Sequence, residues 1–274
     1  MLITLLTDFG LKDPFAGVMK GAILTINPQA TVVDITHGIT PHDVKEAALT
    51  LADSYRYFPP KSIHVAVVDP GVGSGRRPLL VVTEDYYFVG PDNGVFTLVF
   101  GEATEVVHLT SEHYFLPKKG GTAPREGLRA PTTGTFHGRD IFAPVAAWLS
   151  KGIAVSNFGE PITDYVTLEL SVPVRDSSTV KGEAVLIDGF GNAAVNITED
   201  DVSALYSINP AGRLAVSVGG IHARLMSSYA EAEGSEGLSA VINSSGRLEL
   251  FVYKGNAAKT FGIKPGDPVT LKVS

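Results

Sequence analysis

The sequence predicts an α/β N-terminal domain, with an open, mostly parallel sheet and helices on both faces, followed by an all-β, barrel-like C-terminal domain. Two observations predict it. The first part alternates short β-branched runs with stretches of helical periodicity, the signature of β-α-β units. After about residue 165 the pattern becomes a series of short alternating segments separated by Gly, Asn, Asp and Ser, which reads as a small barrel or sandwich. We place the domains at residues 1–165 and 166–274. With 44% apolar and 19% charged residues, the chain can bury a core in each.

The elements follow in order. Leu2–Thr7 is an apolar strand that ends at the turn Asp8-Phe9-Gly10. Phe15–Ile26 has helical spacing and stops before Pro28, and Thr31–Thr36 (TVVDIT) is a β-branched strand. Val44, Ala47, Ala48, Leu51, Ala52 and Tyr55 follow the i, i+3, i+4, i+7 rule with Asp43 at the start, and Pro59-Pro60 ends that helix. Ser62–Val68 and Leu79–Thr83 are near-continuous apolar runs of the kind buried between helix layers. Tyr86–Val89 adds a strand, Gly90–Gly94 a turn before a short apolar helix, and Asp140–Lys151 a further helix. Lys118–Thr135, with four Gly and two Pro, reads as a long surface loop, either a lid or a disordered segment. In the C-terminal part we expect strands over Val166–Val172, Glu183–Ile187, Ala193–Ile197, Leu214–Val218, Ala223–Met226, Leu238–Ile242, Leu248–Tyr253 and Val269–Val273.

Several functions are disfavoured. The N-terminal apolar run is short, lacks a basic leader and ends in Asp8, so it reads as a strand and not a signal peptide. No stretch approaches the ~18 apolar residues of a membrane span. The chain has no cysteine, which removes disulfides, thiolate metal sites and Cys nucleophiles. The net charge of −7 and the absence of a basic block argue against nucleic acid as a partner. A cytoplasmic location fits best.

In open α/β sheets, ligands gather beyond the carboxyl ends of the strands. Asp8 and Asp69 both stand at such ends. Asp69-Pro-Gly-Val-Gly-Ser-Gly-Arg-Arg77 turns from a strand-end carboxylate through glycines back to Arg76 and Arg77. It is neither a P-loop nor a dinucleotide fingerprint, and the plain alternative is a turn closed by a surface pair worth ~0–1 kcal/mol. Phe136-His137-Gly138-Arg139-Asp140 leaves the long loop and opens a helix, with Asp140 as its N-cap or first-turn acid and open space beside His137. Asp8, Asp13 and Asp69 could form an oxygen-rich metal site, but no dense ligand motif supports one.

The ordered segments LLTDFG, ITHGITPHDV, VVDPGVGSGRR, VGPDNGV, TFHGRDIFAP, IDGFGN, INSSGRL and GNAA closely resemble the S-adenosylmethionine (SAM) hydroxide adenosyltransferase family, relatives of fluorinating and chlorinating enzymes. The resemblance implies a homotrimer with its active site at the subunit interface. It implies attack of water or hydroxide on the ribose 5′-carbon of SAM, giving adenosine and L-methionine, with SAM as substrate, no cofactor and no metal. It assigns Asp69, Arg76 and His137 to activating the water, leaving open whether Asp69 or His137 takes the proton. It assigns Asp8 to the ribose hydroxyls; Phe190, Asn192, Tyr229 and Ala257 to adenine; Asp188 to the methionine ammonium; and Ser244 and Ser245 to its carboxylate. The alternatives are a SAM-dependent halogenase forming 5′-chloro-5′-deoxyadenosine, and a non-catalytic adenosine or SAM sensor. The halogenating relatives carry an aromatic residue where Asp69 stands here, so the resemblance favours water as nucleophile.

Overall fold

The computed structural model describes residues 1–116, 134–210 and 212–273. The chain forms two compact units, Met1–Leu168 and Glu169–Ser274. All but the last two residues of the loop expected at Lys118–Thr135 lie outside the described residues.

The first unit runs β1 (Leu2–Thr7), α1 (Phe15–Ile26), β2 (Thr31–Thr36), α2 (Val44–Ser54), β3 (Ile63–Val67), β4 (Pro78–Thr83), β5 (Tyr87–Pro91), β6 (Ala103–Leu109), α3 (Ala143–Ser150) and β7 (Gly159–Pro161). Its strands form one sheet in the order β2-β1-β3-β5-β4-β6-β7. The β2-β1-β3-β5 part is parallel, whereas β4 pairs antiparallel with both β5 and β6. The sheet is therefore mixed. The link from β4 to β5 is a tight turn with no room for the helical crossover that a parallel pair needs.

Because side chains alternate across a strand, each buried strand feeds two cores. Ile3, Leu5, Val65, Val67, Leu80 and Val89 meet Met19, Ile23 and Ile26 of α1 and Val145, Ala146 and Leu149 of α3. On the other face Leu6, Ala66, Leu79, Val81 and Phe88 meet Ala47 and Leu51 of α2 and Tyr55. Asp43 caps α2 by accepting the Glu46 N–H, which is why the helix begins there. Truncating one fully buried side chain such as Leu51 to Ala costs about 2–5 kcal/mol.

The second unit runs β8 (Val174–Arg175), β9 (Thr179–Ile187), β10 (Ala193–Thr198), α4 (Glu199–Ile208), β11 (Leu214–Val218), β12 (Ile221–Leu225), β13 (Ser239–Ile242), β14 (Arg247–Phe251), α5 (Ala257–Phe261) and β15 (Pro268–Val273). The order is β10-β14-β13-β12-β11-β15-β9-β8, and β10 also pairs with β9. That last pairing closes a seven-stranded barrel, which leaves its strands no free edges. Val180, Ala184, Val195, Ile197, Val216, Leu248, Leu250 and Leu271 fill it.

Three expectations change. Val166–Val172 is not a strand: Val166 and Leu168 donate their N–H groups to the side chains of Asp92 and Thr97 instead of to a ladder. The short helix expected after Gly94 is a run of turns ending in a 3₁₀ turn at Phe100–Glu102. The helices α4 and α5 were not anticipated; α4 starts in a capping box between Thr198 and Asp201.

Candidate functional site

β3 leads directly to Asp69. The chain then turns, with Val72 N–H donating to the Asp69 carbonyl (3.2 Å) and Ser74 N–H to the Gly71 carbonyl (3.0 Å). Gly73 takes φ +80°, a conformation side chains rarely adopt, and this carries Arg76 back over Asp69. Arg76 Nε donates to Asp69 Oδ1 at 2.8 Å and its Nη2 to Oδ2, a bidentate pair in which both side chains are less than a tenth exposed. The same guanidinium lies 2.6 Å from His137 Nδ1. Arg77, the other arginine of the segment, is drawn away to Asp92 and Asp164.

The Arg76–His137 contact sets the tautomer. A guanidinium has only donors, so His137 Nδ1 accepts and the ring proton sits on Nε2. Burial, and then the Arg76 charge, push the His137 imidazole below its ordinary range, favouring the neutral ring. His137 precedes a π-helical turn, Gly138–Phe142, that feeds α3. A Cβ on Gly138 would lie 2.9 Å from Phe136 Cε2 and 3.1 Å from Met19 Sδ, so glycine lets the ring and the helix close together here. Asp140 stands in the first turn of this helix, not at its cap, and its carboxylate takes Arg139.

Asp8, at the end of β1, accepts the His42 N–H at 2.9 Å on Oδ2 and so holds His42 at φ +70°. Behind it, Thr7 Oγ1 is 2.8 Å from His37 Nδ1 and accepts the Phe9 N–H at 3.2 Å. Asp8, Asp69 and His137 share the wall of a cavity of about 270 Å³. Phe9, Phe15 and Phe136, mutually edge-to-face at 5.4–5.6 Å, make its apolar side. Sequence reasoning missed this aromatic wall, although DFG and TFHG both carry one of its rings. Asp13 is exposed and takes no part in the cavity, and no group of three or more His, Asp or Glu among the described residues is close enough to hold a metal ion.

In the second unit, Asp188-Gly-Phe-Gly-Asn192 joins β9 to β10. Asp188 Oδ1 accepts the Phe190 and Asn192 N–H groups at 2.9 and 2.8 Å, and its Oδ2 accepts Asn192 Nδ2 at 3.1 Å. The tightened loop thrusts Phe190 outward, 79% exposed. Asp188, Phe190, Asn192 and Tyr229 line a cavity of about 540 Å³ together with Phe251 and Tyr253. Ser244 and Ser245 stand exposed on the β13–β14 turn and Ala257 is buried at the start of α5; none of the three is on that cavity's wall.

Comparison with known proteins gives the same picture across both units. The N-terminal domain model of the SAM hydroxide adenosyltransferases matches residues 3–159 and the C-terminal domain model residues 182–270. A Thermus thermophilus protein named (R)-S-adenosyl-L-methionine hydrolase is 34% identical over 97% of this chain and 97% of its own length. A Nocardia brasiliensis fluorinase is 24% identical over 99% of this chain and 97% of its own. The crystal structure of a conserved Thermotoga maritima protein superposes with a TM-score of 0.85 at 33% identity, covering 99% of this chain and 100% of that one. With matches running through both units, this chain belongs to the SAM hydroxide adenosyltransferase family.

Proposed function

We propose that this protein hydrolyses S-adenosyl-L-methionine to adenosine and L-methionine, with Asp69, Arg76 and His137 directing a water at the ribose 5′-carbon. The observation that carries the reading is the shared guanidinium: Arg76 grips Asp69 with two donors and reaches His137 with one of them. In this arrangement Asp69 can only accept and His137 Nε2–H can only donate. A water between them gives one proton to Asp69 and takes one hydrogen bond from His137, which aims a lone pair at carbon. The C–O bond forms as the C–S bond breaks, and the electron pair of that bond stays on sulfur. Methionine leaves as a neutral thioether, so no acid and no metal is needed at the leaving group. The water's proton passes to Asp69 as the new C–O bond makes it acidic; this assigns Asp69, and not His137, as the acceptor.

Asp8 holds the ribose hydroxyls beside the aromatic wall. Phe190, Asn192 and Tyr229 hold adenine, with Ala257 offering backbone groups, while Asp188 meets the methionine ammonium and Ser244 and Ser245 its carboxylate. We further propose a cytoplasmic homotrimer in which neighbouring subunits complete each active site. The exposed apolar side chains of Leu11, Phe15 and Val18 support burial against another chain. A halide is a poor nucleophile here, because Asp69 accepts a hydrogen bond that water can give and a halide, having no proton, cannot.

Turnover in ¹⁸O-labelled water tests the reading. The label appears on the 5′-oxygen of adenosine and the rate is unchanged by a chelator or by chloride. Unlabelled adenosine, chloride-dependent formation of a chlorinated nucleoside, or binding of SAM without turnover each sinks it.

A further inference from the structure

Glu249 lies on β14 between Leu248 and Leu250, which point into the barrel, so it faces outward from the strand; yet it is only 6% exposed. A carboxylate so placed is costly unless its oxygens are engaged. Oε1 accepts the Tyr229 hydroxyl at 2.7 Å, and Oε2 accepts Asn243 Nδ2 at 2.9 Å. Asn243 is itself fixed, because its Oδ1 accepts the Ser245 and Arg247 N–H groups at 3.0 and 3.1 Å across the β13–β14 turn. The amide therefore has one orientation, with its oxygen toward the turn and its nitrogen toward Glu249. On the other side, the Tyr229 ring rests edge-on against Phe251 at 4.8 Å. The phenol titrates above its ordinary range, through burial first and then the bond to Glu249, which keeps it a donor.

We infer that Glu249 is a positioning residue that couples two halves of substrate recognition, locking the Tyr229 ring through its hydroxyl and the Ser244–Ser245 turn through Asn243. This rests on the reading above, in which Tyr229 takes a flat purine and the serines an amino-acid carboxylate. The carboxylate suits the place because both of its neighbours are donors. Fixing the two groups before the ligand arrives lowers the ordering cost of binding and leaves the chemistry, which belongs to Asp69, Arg76 and His137, unchanged.

The test uses the full chain and three variants, with SAM kinetics, adenosine affinity by calorimetry and product inhibition by L-methionine. Glu249→Ala raises KM for SAM and Kd for adenosine about tenfold, weakens methionine inhibition in parallel, and leaves kcat within about threefold. Glu249→Gln keeps an acceptor for Asn243 and can donate to the Tyr229 oxygen, so it stays within about threefold of wild type on every measure. Glu249→Ala with KM and Kd within about twofold of wild type, or with kcat lowered at unchanged KM, overturns the inference. If Glu249→Ala does not fold, Tyr229→Phe decides: loss of the hydroxyl alone raises Kd for adenosine about threefold, and an unchanged Kd overturns it. A wild-type chain that binds adenosine without hydrolysing SAM defeats the hydrolase reading, while the adenosine affinities still judge Glu249. A wild-type chain that binds no adenosine overturns the inference itself.

Discussion

In the first unit two polar groups of the cavity wall share one cation: Arg76 answers the Asp69 carboxylate and the neutral His137 ring together, with little of the ion pair left exposed. In the second unit the cavity is lined by aromatic rings and turn residues, and a buried acid held by its Tyr229, Glu249, answers the neutral donors Tyr229 and Asn243. The first arrangement resists any change of charge. The second tolerates charge loss and depends on where its donors sit. On the proposed reading, one unit supplies a reaction and the other a shape.

The comparison can be broken most directly at Asp69. On the proposed mechanism Asp69→Asn removes the proton acceptor and leaves Arg76 enclosed without its counter-charge; kcat falls about 10³-fold, within the range of a lost general base. Adenosine affinity, which on the proposed reading rests on Asp8 and the second unit, moves less than about twofold, and single-turnover release against calorimetry separates the two. A matching loss of adenosine affinity would erase the division of labour.

Acid gives the next effect, again confined to the first unit. His64 is fully buried beside Tyr55, Phe58, Tyr86 and Phe88, with Nδ1 2.8 Å from Thr4 Oγ1, and burial pushes it down to about 4. The unfolded chain then binds a proton near pH 6.5 that the folded chain refuses until about pH 4. Stability is full above pH 6.5 and falls as pH drops through that window, by about 3 kcal/mol at 1.36 kcal/mol per pH unit. His137, also lowered, adds to the loss with the same sign. Hydrogen exchange at pH 5 shows the amides of β1 and β3 opening ahead of those of the barrel, and His64→Phe flattens the difference. Equal opening of both units would contradict the contrast.

Arg76→Lys follows, with kcat down about 10²-fold, because an ammonium cannot grip Asp69 at two points and reach His137 as well. The bell-shaped or single-sided pH profile of kcat reports whether His137 is freed to take a proton in that variant. Last, Tyr229→Ala raises Kd for adenosine about tenfold with kcat nearly unchanged, in line with the loss of one stacked ring.

The parallel core was legible because β1 and β3 are continuous apolar runs, which two helix layers require. The antiparallel turn of β4 was harder: its composition matches that of its parallel neighbours, and only the absence of a helix between Thr83 and Tyr87 marks it. α4 was overlooked because three acids open it and only Val202 and Leu205 are buried apolar side chains, so its capping box was the sole strong sign. At the site, the spacing from Asp69 to Arg76 was readable, but Arg76 and His137 lie 61 residues apart: the family resemblance groups them, and only the fold supplies their contact. Glu249 was invisible for a similar reason. A strand pattern of Leu-Glu-Leu places a charge outward and says nothing of the donors that cover it.

Asp8 carries a consequence for how this protein is dissected. One of its oxygens is spent on the His42 N–H and keeps that residue in a left-handed turn, so Asp8→Ala deforms the loop and, on the proposed reading, removes a ribose contact at once. Mutagenesis there confounds architecture with recognition. The clean probe is the other molecule: SAM analogues lacking the 2′- or the 3′-hydroxyl delete one hydrogen bond each while the backbone stays as it is.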